Sequence, residues 1–209
     1  MTHAPETMAH TSDVVLAVAP LLAAEVVAVA RHDARVVVGD DAVRRITESR
    51  AHIDALAYSG QPVYGVSTGF GALANRHIAP DLRAQLQRSV VRSHAAGSGP
   101  EVEREVVRAM MLPRLHTMAT GRTGVRVDTA KTYAALLNSG ITPIVHEFGS
   151  LGCSGDLAPL AHCALALIGE GEVRDAHGVR MPTAQAMADA AIRPVVLSAK
   201  EGLALINGT

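Results

Sequence analysis

One run of the chain joins reactive residue types to a backbone free enough to bring them together: Gly149-Ser150-Leu151-Gly152-Cys153-Ser154-Gly155-Asp156, followed by Leu157-Ala158-Pro159-Leu160-Ala161-His162. Ser154 stands between a small residue and a glycine. Glycine carries no obstructing side chain, so the Gly155 nitrogen can reach the carbonyl carbon two residues back. Cyclisation there, with loss of water from Ser154, leaves an electron-poor methylidene ring. Without that chemistry the same run is a flexible glycine turn capped by Asp156 ahead of a buried helix, and composition alone leaves both readings open. The run misses the G-x-S-x-G nucleophile elbow, because Asp156 occupies the place of the last glycine.

A second concentration lies upstream, where Gly60, Pro62, Gly65, Gly69 and Gly71 interleave with Tyr64, Ser67 and Thr68. So many glycines mark a loop that turns tightly or approaches something closely, and such loops often carry function. Gly69 to Ala74 fits G-x-G-x-x-A, yet no parallel strand series and no spaced acidic residue accompany it, and a phosphate loop with its lysine is missing. No nucleotide site is expected. His146, Cys153, His162 and Cys163 share one stretch, but their spacing is irregular and His146-Glu147 does not continue into H-E-x-x-H. No metal site is expected either. His94 falls at a predicted helix end beside Gly97, where it either satisfies backbone or offers a polar contact.

The elements that must position these residues read as helices. Apolar spacing of three to four predicts helices over Glu25 to Arg31 and Asp40 to Tyr58, with Asp40 or Asp41 as the cap, and over Pro80 to His94. Further helices are predicted over Glu101 to Thr120, kinked at Pro113, and over Asp128 to Asn138 with Asp128 as cap. Leu157 to Ile168 is apolar enough to be buried throughout. Gly169 to Pro182 reads as an irregular or short hairpin excursion, and short helices near Ala184 to Ala191 and Lys200 to Asn207 follow. Residues 1–22 are expected to form a flexible extension and 23–209 the folded domain.

Composition narrows the function classes. Of 209 residues, 48% are hydrophobic and 19% charged, which excludes a disordered chain. Nineteen Lys and Arg against twenty Asp and Glu leave a net charge of -1, so nucleic acid and anionic membrane are poor partners. No stretch approaches the roughly 18 apolar residues of a membrane span, and the start carries no basic secretory signal, so a cytoplasmic location is expected.

Together these segments resemble the histidine and aromatic amino acid ammonia-lyases. The run around Ser154 resembles their Ala-Ser-Gly-Asp motif, which cyclises to methylidene-imidazolone (MIO). Cys153 replaces the alanine, a departure the ring tolerates because it uses that residue's backbone. Tyr64-Gly65-Val66-Ser67-Thr68-Gly69-Phe70-Gly71 resembles the family's tyrosine loop, and Arg92-Ser93-His94-Ala95-Ala96-Gly97 its Ser-His motif. Gly124-Val125-Arg126 resembles a helix-start motif, and Lys200 to Thr209 the stretch holding an asparagine that contacts MIO.

The resemblance implies a mainly α fold: the N-terminal domain of the ammonia-lyase/aspartase-like helical fold, with irregular glycine-rich active-site loops. It implies elimination of ammonia from L-histidine to trans-urocanate, with MIO made from Cys153, Ser154 and Gly155 as the electrophile. By the same resemblance Tyr64 is the base, Asn207 donates to the ring carbonyl, His94 meets the substrate side chain, and Gly71 and Asp156 support the site. A phenol ordinarily keeps its proton up to a pKa of about 10, so such a base needs positive or accepting surroundings. The order of residues adds that a helix starting at Leu157 would turn its positive end toward the ring. Family members form homotetramers of about twice this length, so the 209-residue chain by itself, lacking the C-terminal helical half, is expected to be inactive. Competing readings are a tyrosine ammonia-lyase, an MIO aminomutase, or a truncated, non-catalytic helical fragment that only associates with other chains.

Overall fold

The computed structural model describes residues 12–152 and 155–208. Strand β1 (Val14–Leu16) runs parallel to β2 (Val36–Val38), with α1 (Ala23–His32) as the crossover between them. Val14 and Leu16 are buried while Val15 faces outward, the alternation a half-buried strand requires. This part of the span read as an extension is therefore tied into the fold. Asn138 completes the edge by accepting from the Val36 N–H at 2.8 Å and donating to its carbonyl at 2.9 Å.

Helix α2 (Asp40–Tyr58) has the predicted bounds, with Gly39 at the cap position and both aspartates in the first turn, where the dipole favours them. Its buried face is Ala42, Ile46, Ile53 and Ala57, with Arg50 among them. A single 3-10 turn at Pro80–Leu82 leads into α3 (Arg83–His94). The next segment departs from the sequence reading, because Ser98–Glu101 forms a strand, β3, and the helix begins only at α4 (Arg104–Ala119). The cause is long-range: β3 pairs with a later strand, Ser98 opposite Phe148 and Glu101 opposite His146, and Glu101 accepts from Arg174 at 2.8 Å. Helix α5 (Val127–Asn138) is capped at Arg126, not Asp128, which sits in its first turn.

Short strands β4 (Thr142–Pro143) and β5 (His146–Phe148) precede α6 (Leu157–Leu167). The excursion after it is a hairpin of β6 (Glu172–Arg174) and β7 (Arg180–Pro182), extended to three strands by β4. Helices α7 (Thr183–Asp189) and α8 (Glu201–Ile206) follow. Among the described residues no helix is long and apolar enough to cross a membrane.

The core lies between α4, α5 and α6. Val107, Met111, Leu112, Leu115 and Met118 line one face of α4 and are essentially inaccessible, as are Leu136 and Leu137 of α5. Helix α6 meets them with Ala161, Cys163, Ala164 and Ala166, small side chains that let it pack closely. Burial pushes the Cys163 thiol up to about 12, so it stays a neutral packing group. Each fully buried Leu or Met adds about 1.5–3 kcal/mol, so this layer is the rigid body on which the loops are mounted.

Candidate functional site

Three helix ends converge at one place. Helices α3, α6 and α8 pack on one another, bringing the C-terminus of α3, the N-terminus of α6 and the C-terminus of α8 together. The convergence is close at the backbone: a Cβ on Gly208 would lie 3.3 Å from Leu160 Cδ1 and 3.7 Å from Gly155 Cα. A Cβ on Gly149 would come within 3.0 Å of Gly97 Cα. The Asn207-Gly208 segment thus meets Gly155, and Gly149 meets the turn after His94, although each pair of partners lies far apart in sequence.

Gly155 has φ of 72° and Gly152 of 61°, left-handed values that favour glycine. Cys153 and Ser154 lie outside the described residues, so their expected roles rest on sequence. Asp156 takes the cap position of α6 but does not cap it. Its carboxylate reaches back to accept from the Leu151 N–H at 2.9 Å and from the Ser150 hydroxyl. The expected helix cap is corrected to a clasp that closes the loop 151–156. The first turn of α6 keeps its N–H groups uncapped by that side chain, leaving the positive end of the helix facing the loop.

Helix α8 carries Asn207 just past its last turn, and at six residues it is too short to hold itself. Side chains from elsewhere hold it. Glu201, with no exposed surface, accepts from the Arg126 backbone N–H at 2.9 Å, from the Arg126 guanidinium at 2.8 and 3.0 Å, from Thr129 at 2.6 Å and from the Ser198 N–H at 2.8 Å. Gln87 on α3, also fully buried, accepts from the Gly202 N–H at 2.8 Å and donates to the Gly65 carbonyl at 3.4 Å. Arg114 on α4 donates to the carbonyls of Ala204 and Asn207, each at 2.5 Å.

The tyrosine loop approaches α8 from the other side. A Cβ on Gly65 would lie 2.9 Å from Leu203 Cδ2, one turn before Asn207, which leaves room only for glycine. Tyr64 is half exposed, packs edge-on against Phe70 with ring centroids 5.8 Å apart, and accepts from the Gly71 N–H at a long 3.4 Å. Gly71 (φ 52°) presents that N–H to the phenol. The loop's base is firmer: Ser67 Oγ accepts from the Val63 N–H and donates to the Gln61 carbonyl, both at 2.9 Å.

His94 Nδ1 lies 2.8 Å from the Val90 carbonyl and 3.1 Å from Ser93 Oγ. A carbonyl only accepts, so Nδ1 carries the hydrogen and Nε2 is left with its lone pair. The backbone-satisfied reading thus holds for one ring nitrogen, while the other remains an acceptor. Two turns into α6, His162 Nε2 accepts from the Gly97 N–H at 3.0 Å, fastening the turn after His94 to the helix after Gly155. Burial lowers the His162 pKa, and the neighbouring His146 ring at 5.7 Å lowers it further.

Tyr64, His94, Gly71, Gly155, Asp156 and Asn207 were singled out in the sequence; Gln87, Arg114 and Glu201 were not, and His162 was weighed only for a metal site. A glutamate just after Lys200 reads as a solvated helix start, and an arginine amid α4 as its wet face. The one legible hint was Arg126, quoted within a motif whose partner, Glu201, lies 75 residues on.

With this geometry in hand, the chain matches the description "Aromatic amino acid lyase" over residues 21–209. It is 61% identical over 200 residues to the histidine ammonia-lyase of Streptomyces griseus, an alignment covering 96% of this chain and 38% of that protein. Its structure resembles the histidine ammonia-lyase of Trypanosoma cruzi at a TM-score of 0.86 and 35% identity, covering 94% of this chain and 38% of the other. The tyrosine aminomutase of Streptomyces globisporus also matches, at a TM-score of 0.86 and 40% identity, over 93% of this chain and 36% of that one. The chain thus spans well under half the length of these relatives.

Proposed function

The chain belongs to the aromatic amino acid lyase family, and from that premise we propose that the protein containing it eliminates ammonia from L-histidine to give trans-urocanate. The observation that carries this reading is the contact of the Asn207-Gly208 turn with Gly155 at the N-terminal end of α6. Gly155 in a left-handed conformation, and a neighbouring Gly208 beside which a side chain would crowd, suit a compact ring built on residues 153–155. That ring, the methylidene-imidazolone of Cys153, Ser154 and Gly155, supplies an electrophile for the substrate amine.

The chain's own residues do the rest. Asn207, held next to the Gly208–Gly155 contact, would donate to the carbonyl of that ring, and the end of α6, which the Asp156 side chain leaves uncapped, would favour negative charge there. Tyr64 takes the proton from the carbon next to the one bearing the amine, a transfer of the kind that contributes about 10²–10⁴-fold. His94 offers Nε2 as an acceptor to the imidazole N–H. An acceptor there also fits a phenol hydroxyl, so a tyrosine-directed lyase or aminomutase is the second reading. The family resemblance further supports a homotetramer whose sites are completed by parts beyond this segment.

The test uses the full-length gene product with L-histidine, L-tyrosine and L-phenylalanine, following urocanate, coumarate, cinnamate and β-amino acids. Urocanate as the dominant product, abolished by Ser154→Ala with helix content unchanged, is the expected result. Coumarate or β-tyrosine in its place would transfer the assignment to the second reading, and full activity in the Ser154 variant would remove the ring from the mechanism.

A further inference from the structure

Arg114 is 4% exposed and sits in the middle of α4, next to the core face. Burial lowers its pKa, and among the described residues the guanidinium is held by carbonyls, not by a carboxylate. Its Nε has no hydrogen-bond partner among the described residues. A charge taken out of water is costly unless hydrogen bonds compensate it. Packing therefore does not account for it, and its two donated bonds do.

Both bonds fall on the open end of α8. The Ala204 carbonyl belongs to the last turn, where no intrahelical donor remains. The Asn207 carbonyl lies just outside the helix, and the Asn207 N–H is bonded to Leu203 O at 3.0 Å. The peptide groups on either side of the Asn207 Cα are thus each fixed, which fixes the direction of its Cα–Cβ bond. Gly208, next along, is thereby held against Gly155. A planar guanidinium fork reaches two carbonyls at once; an ammonium on a flexible stem meets one of them well.

We propose that Arg114 is the positioning residue that aims Asn207 toward Gly155, an inference that rests on the proposed lyase reading for its effect on turnover. Arg114 touches no substrate. Its work is to convert a six-residue helix end into a rigid mount for an amide whose distance to developing charge governs the rate.

The experiment compares Arg114→Met, Arg114→Lys and the unaltered full-length protein, reading amide hydrogen exchange by peptide, the mass of the peptide spanning residues 149–160, and kcat and KM. Expected for Arg114→Met is exchange at least tenfold faster in 203–208 with 157–167 unchanged. Its kcat should fall about 100-fold, as when one donor to a developing oxyanion is removed, while KM stays within threefold. Arg114→Lys should recover part of both. Wild-type kcat and wild-type exchange in folded Arg114→Met would overturn the proposal; if that variant fails to fold, the same result in Arg114→Lys overturns it. Absence of ring and activity from the unaltered protein would instead defeat the lyase reading, and the exchange comparison would still judge Arg114.

Discussion

The wall of the site that carries Asn207 and the wall that carries Tyr64 are held by different means. On the Asn207 side, Glu201 and Arg114 are almost wholly buried, and charged groups grip both ends of a six-residue helix. On the Tyr64 side the phenol is half exposed, its one hydrogen bond among the described residues is 3.4 Å long, and left-handed glycines at 65 and 71 bracket the turn. The difference teaches where stiffness is spent. On the proposed reading, a donor that must meet charge at a fixed distance is locked to the core, whereas a base that must cover a substrate after it enters stands exposed on a glycine-bracketed turn. Gln87 joins the two walls, bonding Gly202 with one end of its amide and Gly65 with the other.

The comparison can be broken first at Tyr64. In the full-length protein Tyr64→Phe should lower kcat by about 10²–10⁴-fold with little change in KM or in melting temperature, because only the proton transfer is lost. Near-normal turnover would show that the exposed wall does not hold the base. On the rigid wall, Glu201→Ala should cost about 3–5 kcal/mol in denaturant unfolding, since it strands the partly buried Arg126 charge and several donors. A loss below about 1 kcal/mol would mean the Glu201 network is not what anchors α8.

Smaller effects sharpen the contrast. His94→Phe should shift relative kcat/KM from histidine toward phenylalanine by roughly 10–100-fold, because an unpaired polar contact penalises the phenyl ring and its removal reverses the penalty. An unchanged ratio would place His94 away from the substrate ring. The smallest effect concerns His162. Its folded pKa lies below the ordinary value of about 6.5, so the unfolded chain binds the proton first as pH falls. Its contribution is whole above about pH 6.5 and declines as pH drops toward the folded value. Thermal unfolding between pH 7 and 5 should therefore show a shallower loss in His162→Gln, whose amide can still accept from Gly97 without titrating. Identical slopes would show that this histidine does not resist protonation in the fold.

Much of the fold was legible because its causes are local. The bounds of α2 follow from apolar spacing with aspartates at its start, and Tyr64 and Gly71 meet within one glycine-rich turn. Where partners are distant the sequence was silent or misleading. Ser98–Glu101 became a strand because β5 pairs with it; nearer at hand, Asp156 turned from capping α6 to clasping Ser150 and Leu151, a choice between two local sets of donors that the pattern does not decide. Arg114 and Asn207 are 93 residues apart, and nothing in the periodicity of α4 marks one of its arginines as buried. The meeting of Gly155 with Gly208 was implied only by family resemblance; local pattern carries no such information.

The claim on which the rest depends is that residues 153–155 become a ring, and peptide mass spectrometry across residues 149–160 of the folded full-length protein tests it most directly. The account predicts a peptide lighter by two waters, returning to the unmodified mass in Ser154→Ala. An unmodified peptide from a correctly folded wild-type preparation would contradict it, whatever the rigidity of the wall that faces it.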